Sequence, residues 1–109
     1  MTPHQRNWKS DFYEIRQFLG GYFPQDFKVV NGSPGGALAA ALRDHSEAEK
    51  RALIDELTTF LAIRMPEAER EELFYGPLGC DYNVAANGYT PTTWLTYVKG
   101  RFEESLTGS

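Results

Sequence analysis

An all-α fold is what this sequence predicts: a single compact domain of about five helices, with two structured segments rich in aromatic residues, glycine and proline. Two observations predict it. Apolar residues recur at helical spacing in several windows, and capping residues or helix-starting prolines precede most of these windows. With 109 residues, of which 41% are hydrophobic, the chain has enough apolar surface for one core. We therefore interpret 1–109 as one domain, with mobile ends at 1–9 and 107–109.

The first helix is predicted to begin near Ser10 or Asp11, because Asp11 and Glu14 have the spacing of a capping pair. The apolar residues that then share one face are Phe12, Ile15, Phe18 and Leu19. Two successive glycines, Gly20-Gly21, are predicted to end this helix. Residues 28–30 remain open between a strand and a loop.

Four later helices have clear start signals. A capping hydroxyl stands before a first-turn proline at Ser33-Pro34 and again at Thr90-Pro91, and Ser46 with Glu49 forms a capping box. Pro66 breaks the third helix and precedes the fourth. The residues predicted to anchor these four helices in the core are Ala37, Leu38, Ala41, Leu42, Leu53, Leu57, Phe60, Leu61, Leu73, Phe74, Trp94, Leu95, Val98, Phe102 and Leu106.

Charge and composition argue against several classes of protein. The net charge is -4 and the sequence pI is about 5.1, which disfavours binding to nucleic acid or to anionic lipid. No apolar run is long enough to cross a membrane, and the N-terminus lacks the pattern of a signal peptide, so we expect a cytoplasmic protein. The single cysteine, Cys80, has no partner for an internal disulfide and is interpreted as a small buried apolar residue.

A catalytic site is not predicted. His4 and His45 have no evident partners, and a solvated or capping role suits His45 better than that of a general base. Asp26 and Asp81 would form a carboxylate pair only if their segments met, and we favour turn-capping roles for both. There is no phosphate-binding loop and no metal-ligand spacing. We therefore expect a protein that is not an enzyme and that has no cofactor.

The acidic charge is concentrated in the middle of the chain. Residues 46–75 carry four Lys and Arg against eight Asp and Glu. Four of these carboxylates lie close together in the fourth helix, at Glu67, Glu69, Glu71 and Glu72. Only Ala68 and Arg70 stand between them. Either they form a solvated helix start favoured by the helix dipole, or they form an acidic face for a basic protein partner, with Asp55 and Glu56 as neighbours.

Two irregular segments carry the most specific pattern. Residues 18–27 read Phe-Leu-Gly-Gly-Tyr-Phe-Pro-Gln-Asp-Phe, and residues 78–82 read Leu-Gly-Cys-Asp-Tyr. Both combine aromatic residues with glycine or proline and one aspartate, and we expect them to lie near each other. Together with the Gly-Ser-Pro helix start and Trp94-Leu95 in the last helix, they resemble the CdiI-type immunity proteins of bacterial contact-dependent growth inhibition (CDI) systems. Pro24 and Phe27 depart from that pattern.

The resemblance implies a cytoplasmic protein that binds and neutralises the toxin domain of a cognate CDI effector. Such toxins are often nucleases, which suits an acidic inhibitor. The residues that the resemblance assigns mainly to the scaffold are Tyr22, Phe23, Gln25, Asp26, Phe27, Gly79, Cys80 and Tyr82. The residues expected to contact the toxin are Glu67, Glu69, Glu71 and Glu72, with Asp55 and Glu56. We expect a monomer or a weak dimer without nucleic-acid or membrane partners, and a helical adaptor or regulator unrelated to toxins remains the alternative.

Overall fold

The computed structural model describes residues 8–23 and 33–107, and these contain helices and no strand. The α-helices are α1 (Trp8–Asp11), α2 (Tyr13–Tyr22), α3 (Pro34–Asp44), α4 (Glu47–Ala62), α5 (Glu67–Tyr75) and α6 (Pro91–Thr107), and a short 3₁₀ helix spans Val84–Asn87. The all-α prediction is confirmed: α2 to α6 are the five predicted helices, and α1 is a short addition. Residues 28–30 lie outside the described part, so their conformation stays open.

The last helix, α6, is the central element. It packs against α3, α4 and α5, while α2 packs against α3 and α4. The Trp94 side chain of α6 is only 3% exposed. Its ring centroid lies 5.0 Å from that of Phe23, 5.6 Å from that of Tyr82 and 5.9 Å from that of Phe74. Aromatic rings at these distances bury large areas in defined geometries, so Trp94 fixes how the helices meet.

The predicted helix starts are present. Ser33 Oγ accepts a hydrogen bond from the backbone N–H of Gly36 at 3.0 Å. Ser46 and Glu49 form the predicted capping box. The Thr90 hydroxyl accepts a hydrogen bond from the backbone N–H of Thr93 at 3.1 Å, and the Thr93 hydroxyl accepts one from the backbone N–H of Thr90 at 2.9 Å. These contacts satisfy donors that a helix leaves free in its first turn.

Both predicted ends of the first helix are wrong. Asp11 does not cap α2, because that helix begins at Tyr13, with buried Phe12 at the capping position and no side-chain cap of its own. The helix also continues through Gly20-Gly21 to Tyr22, where the backbone N–H of Phe23 donates to Leu19 at 2.9 Å. Burial of the apolar side chains around the glycines holds this last turn, which overrides their low helix propensity.

The two aromatic segments meet, as predicted, at Phe23. Its ring stacks on that of Tyr82 at 5.6 Å, and its carbonyl accepts a hydrogen bond from the backbone N–H of Asp81 at 3.3 Å. Gly79 has a φ of 75°, a left-handed conformation that favours glycine, in the turn that leads to this contact. Gln25, Asp26 and Phe27 lie outside the described residues.

No helix in the described ranges combines the length and the apolar character that a bilayer span requires.

Candidate protein-binding surface

The single basic residue of the acidic helix points into the core. Arg70 is only 5% exposed, and its guanidinium donates to the backbone carbonyls of Phe60 and Ile63, both at 2.8 Å. It also lies 5.1 Å from the centroid of the Phe60 ring. These carbonyls belong to the C-terminal end of α4, where a cation is favoured by the helix dipole. Arg70 therefore ties α5 to α4, and its charge is withdrawn from the surface.

Glu67, at the start of α5, binds the start of another helix. Its carboxylate accepts hydrogen bonds from the Thr92 hydroxyl at 2.6 Å and from the Thr92 backbone N–H at 3.3 Å. Thr92 is in the first turn of α6, where backbone N–H groups lack partners within the helix. Glu67 consequently connects α5 with α6, a structural role that the sequence pattern did not reveal.

Glu56 has a comparable structural role at α2. Its Oε1 atom accepts a hydrogen bond from the backbone N–H of Ile15 at 3.1 Å, across 41 residues of sequence. Partial burial raises the pKa of Glu56 above its usual range, although hydrogen bonds from the backbone of Ile15 and Glu14 act in the opposite direction. The missing cap at Phe12 is thus supplied by α4.

The six acidic residues predicted to contact a partner therefore divide into two groups. Glu67 and Glu56 form the helix-to-helix contacts described above. The exposed carboxylates that make no hydrogen bond or ion pair within the described residues are Asp55, Glu69, Glu71 and Glu72.

These exposed carboxylates do not form one patch. Asp55 borders a groove with Leu106 and Thr107 at the end of α6, whereas Glu67 binds Thr92 at its start. Because an α-helix rises 1.5 Å per residue, these two ends of α6 are about 21 Å apart. Asp55 is consequently separated from the start of the acidic helix.

The motif residues that the structure describes make internal contacts. The Tyr22 hydroxyl donates to Asp44 at 3.1 Å, and burial raises the pKa of Tyr22. The Cys80 thiol is 2% exposed and lies 3.4 Å from the Tyr82 carbonyl, and burial raises its pKa to about 12. The Tyr82 hydroxyl accepts a hydrogen bond from Asn87 at 2.6 Å. Burial and internal hydrogen bonding suit the scaffold role that the resemblance assigned to them.

A groove that the sequence did not predict runs between α2 and α4. Its volume is about 430 Å³. The residues that line it are Tyr13, Glu14, Gln17, Tyr22, His45, Ala48, Glu49 and Ala52. Small residues at Ala48 and Ala52 recur one helical turn apart on α4, as Tyr13 and Gln17 do on α2. This spacing is the sequence signal for the groove, but only the packing of α2 on α4 brings the two faces together.

The groups considered for catalysis are not assembled into a site within the described residues. His45 Nδ1 donates to the Ala41 carbonyl at 2.7 Å, so the imidazole helps to end α3, as the capping interpretation predicted. Asp81 is exposed, and Asp26, the other carboxylate considered for such a pair, lies outside the described part. Among the described residues no group of three His, Cys, Asp or Glu side chains is arranged to hold a metal ion.

Comparison with known proteins places this geometry in a family. No curated protein matches. A chain in the crystal structure of a CdiA-CT/CdiI complex from Y. kristensenii 33638 has a similar fold, with a TM-score of 0.84 and 22% sequence identity. The match covers 90% of this chain and 99% of that chain. A sequence model described as "CdiI immunity protein" matches residues 11–102, which include nearly all of the helical core. The chain therefore belongs to the CdiI immunity protein family.

Proposed function

We propose that this protein binds the C-terminal toxin domain of a cognate CDI effector and neutralises it in the cytoplasm of the producing cell. The observation that carries the proposal is membership of the CdiI immunity family over residues 11–102. The similar fold comes from a structure in which CdiI is complexed with CdiA-CT, which supports binding of the equivalent toxin domain by this chain.

We infer that inhibition is stoichiometric binding, with no catalysis and no cofactor, by a monomer or weak dimer. The arrangement of the acidic side chains supports a basic partner. Glu69, Glu71 and Glu72 lie exposed on α5, while Arg70, the basic residue of that helix, is buried. The outer face of α5 is consequently more acidic than its sequence composition indicates. Such a face attracts a cationic protein, and a nuclease that binds nucleic acid has this character.

The test uses the C-terminal domain of a CDI effector, and the first gene to inspect for that effector is the one directly upstream of the gene for this protein. Expression of that domain alone is expected to stop growth, and co-expression of this protein is expected to restore it. Purified samples should form a complex of defined stoichiometry, measured by isothermal titration calorimetry and light scattering. Nuclease activity is assayed on RNA and DNA with and without this protein. A toxin domain from an unrelated effector serves as the specificity control.

Two results would contradict parts of the proposal. If the two proteins do not bind and growth is not restored, the immunity function toward that effector is wrong. If they bind and growth is restored but the toxin degrades neither RNA nor DNA, only the nuclease assignment is wrong.

A further inference from the structure

The groove between α2 and α4 combines features that neither the internal contacts nor the acidic face of α5 explains. Tyr13 is one of two large hydrophobic side chains that are exposed in the described ranges, at 51%. It lies at the groove together with Tyr22, so two phenol rings border one cavity. Exposed tyrosines beside a concavity are typical of residues that contribute strongly to protein interfaces.

Carboxylates outnumber basic side chains at the groove, where His45 is the basic residue among the described lining residues. Glu14 on α2 and Glu49 on α4 approach it from opposite sides, and neither Lys nor Arg is among its described lining residues. Asp44 adds a third carboxylate nearby, because it accepts the hydrogen bond of Tyr22. Arg43 lies 3.8 Å from Asp44 but does not line the groove. Carboxylates and aromatic faces together recognise guanidinium and ammonium groups.

The floor of the groove is made by small side chains. Ala48 and Ala52 face α2 from α4, and larger residues at these positions would occupy the space. Glu49 is held at the rim, because its carboxylate accepts the Ser46 backbone N–H at 2.8 Å. This hydrogen bond lowers the pKa of Glu49, so it remains ionised at neutral pH. The site is thus a preformed concavity with a fixed negative charge on one wall.

From this geometry we propose that the groove between α2 and α4 receives a basic side chain, arginine or lysine, from the toxin domain. Glu14 and Glu49 pair with its charge, and Tyr13 packs along its stem. This inference rests on the proposed function, since it names the surface through which the toxin is recognised. It is distinct from the acidic face of α5, which attracts a cationic partner at long range.

The test compares variants of equal charge. Glu14→Gln with Glu49→Gln removes two charges from the groove, and glutamine preserves the capping box because it also serves at this position. Affinity for the toxin domain is measured by calorimetry at physiological salt. Loss of a charge-assisted contact predicts a dissociation constant raised roughly tenfold for each carboxylate. Circular dichroism and thermal unfolding verify that the variant is folded.

A matched control removes the same charge elsewhere. Glu47→Gln with Glu104→Gln affects two exposed carboxylates whose partners among the described residues are Arg51 and Arg101. The dissociation constant of this control variant should change by less than about threefold. Ala48→Trp provides a second test, since it fills the groove without a change of charge, and it should also weaken binding at least tenfold, or about 1.4 kcal/mol.

Each outcome decides between the alternatives. Strong weakening by both groove variants, with the control near wild type, supports the proposal. Equal effects of the groove and control charge variants, or unchanged affinity of the folded Ala48→Trp variant, would overturn it. Wild-type protein that fails to bind the toxin domain contradicts the proposed function itself, and the inference with it.

Discussion

Arg70 is a charged residue that the structure buries. The sequence surrounds it with glutamates, which is the pattern of an exposed ion-pairing residue. Its actual partners are carbonyl oxygens of Phe60 and Ile63 at the end of the preceding helix. Periodicity cannot reveal such a contact, because it depends on how α5 folds back against α4. A planar guanidinium with two donors oriented toward two carbonyls suits this position.

Replacement of Arg70 is expected to destabilise the fold. Arg70→Met keeps much of the apolar packing but removes both hydrogen bonds to the end of α4, which should lower the free energy of unfolding by about 2–3 kcal/mol. Arg70→Lys should lose less, since an ammonium still donates but does not match the two carbonyls as a fork. Urea unfolding measures both, with exposed Arg64→Met as the control. A loss below about 0.5 kcal/mol for Arg70→Met, the size expected of surface changes, would contradict the anchoring role.

At the scale of the elements, the sequence predicted which helices exist better than where α2 begins and ends. Ser33, Ser46 and Thr90 mark helix starts through bonds to residues three positions away, and a local pattern is sufficient to find them. The start of α2 depends instead on Glu56, 41 residues further along the chain. Its end depends on buried side chains that hold Gly20-Gly21 in the helix. Tertiary contacts therefore set the bounds of α2.

The role of Glu56 gives a test that separates hydrogen bonding from charge. Glu56→Ala removes the acceptor for the first turn of α2 and should cost about 1 kcal/mol, as expected for a lost helix cap. Glu56→Gln retains an acceptor oxygen and should cost less. Chemical unfolding of the two variants, with exposed Glu104→Gln as a control, makes the comparison. Equal losses for Glu56→Gln and Glu56→Ala would indicate that the carboxylate charge is essential.

The dependence on pH has a definite sign. Because burial raises the folded-state pKa of Glu56, the folded protein binds this proton more tightly than the unfolded chain. The resulting stabilisation is present below the ordinary glutamate pKa and is lost as the pH rises through the raised value. Wild type should therefore lose stability relative to Glu56→Gln as the pH rises from about 4, near the ordinary glutamate pKa, to neutrality. A constant difference across that range would contradict this assignment.

At the scale of the whole molecule, the fold determines which charged side chains are exposed, whereas the composition gives only their number. The sequence located the acidity between 46 and 75 and left open whether it was a solvated helix start or a binding face. Both interpretations stay predictions: Glu67 and Glu69 lie in the first turn of α5, and Glu69, Glu71 and Glu72 are exposed. The aromatic segments were predicted to meet, and they do so at Phe23. The groove between α2 and α4 was not predicted, because it is formed by two helices that are separated by α3.

Charge reversal on the outer face of α5 tests long-range attraction. Glu69→Lys, Glu71→Lys and Glu72→Lys together, with Glu67 unchanged, should slow association with the toxin domain about tenfold at low salt. The effect should diminish in 0.5 M salt, where screening is strong. Stopped-flow kinetics measures the rates. The control reverses Glu47, Glu103 and Glu104 to lysine and has the same net charge. Equal rates for the two triple variants would show that net charge, and not this face, governs association.

The position of Gly20 and Gly21 in the last turn of α2 determines which substitutions that turn can accept. A Cβ atom added at either glycine would lie more than 4 Å from the side chains and neighbouring elements that the structure describes, so none of these described contacts requires glycine there. Alanine would favour the helix by about 1 kcal/mol at each position. The outer side of the last turn of α2 thus tolerates substitution, while Phe18 and Leu19 on its inner side are fixed by the core. Relatives can change this surface without losing the scaffold that presents it.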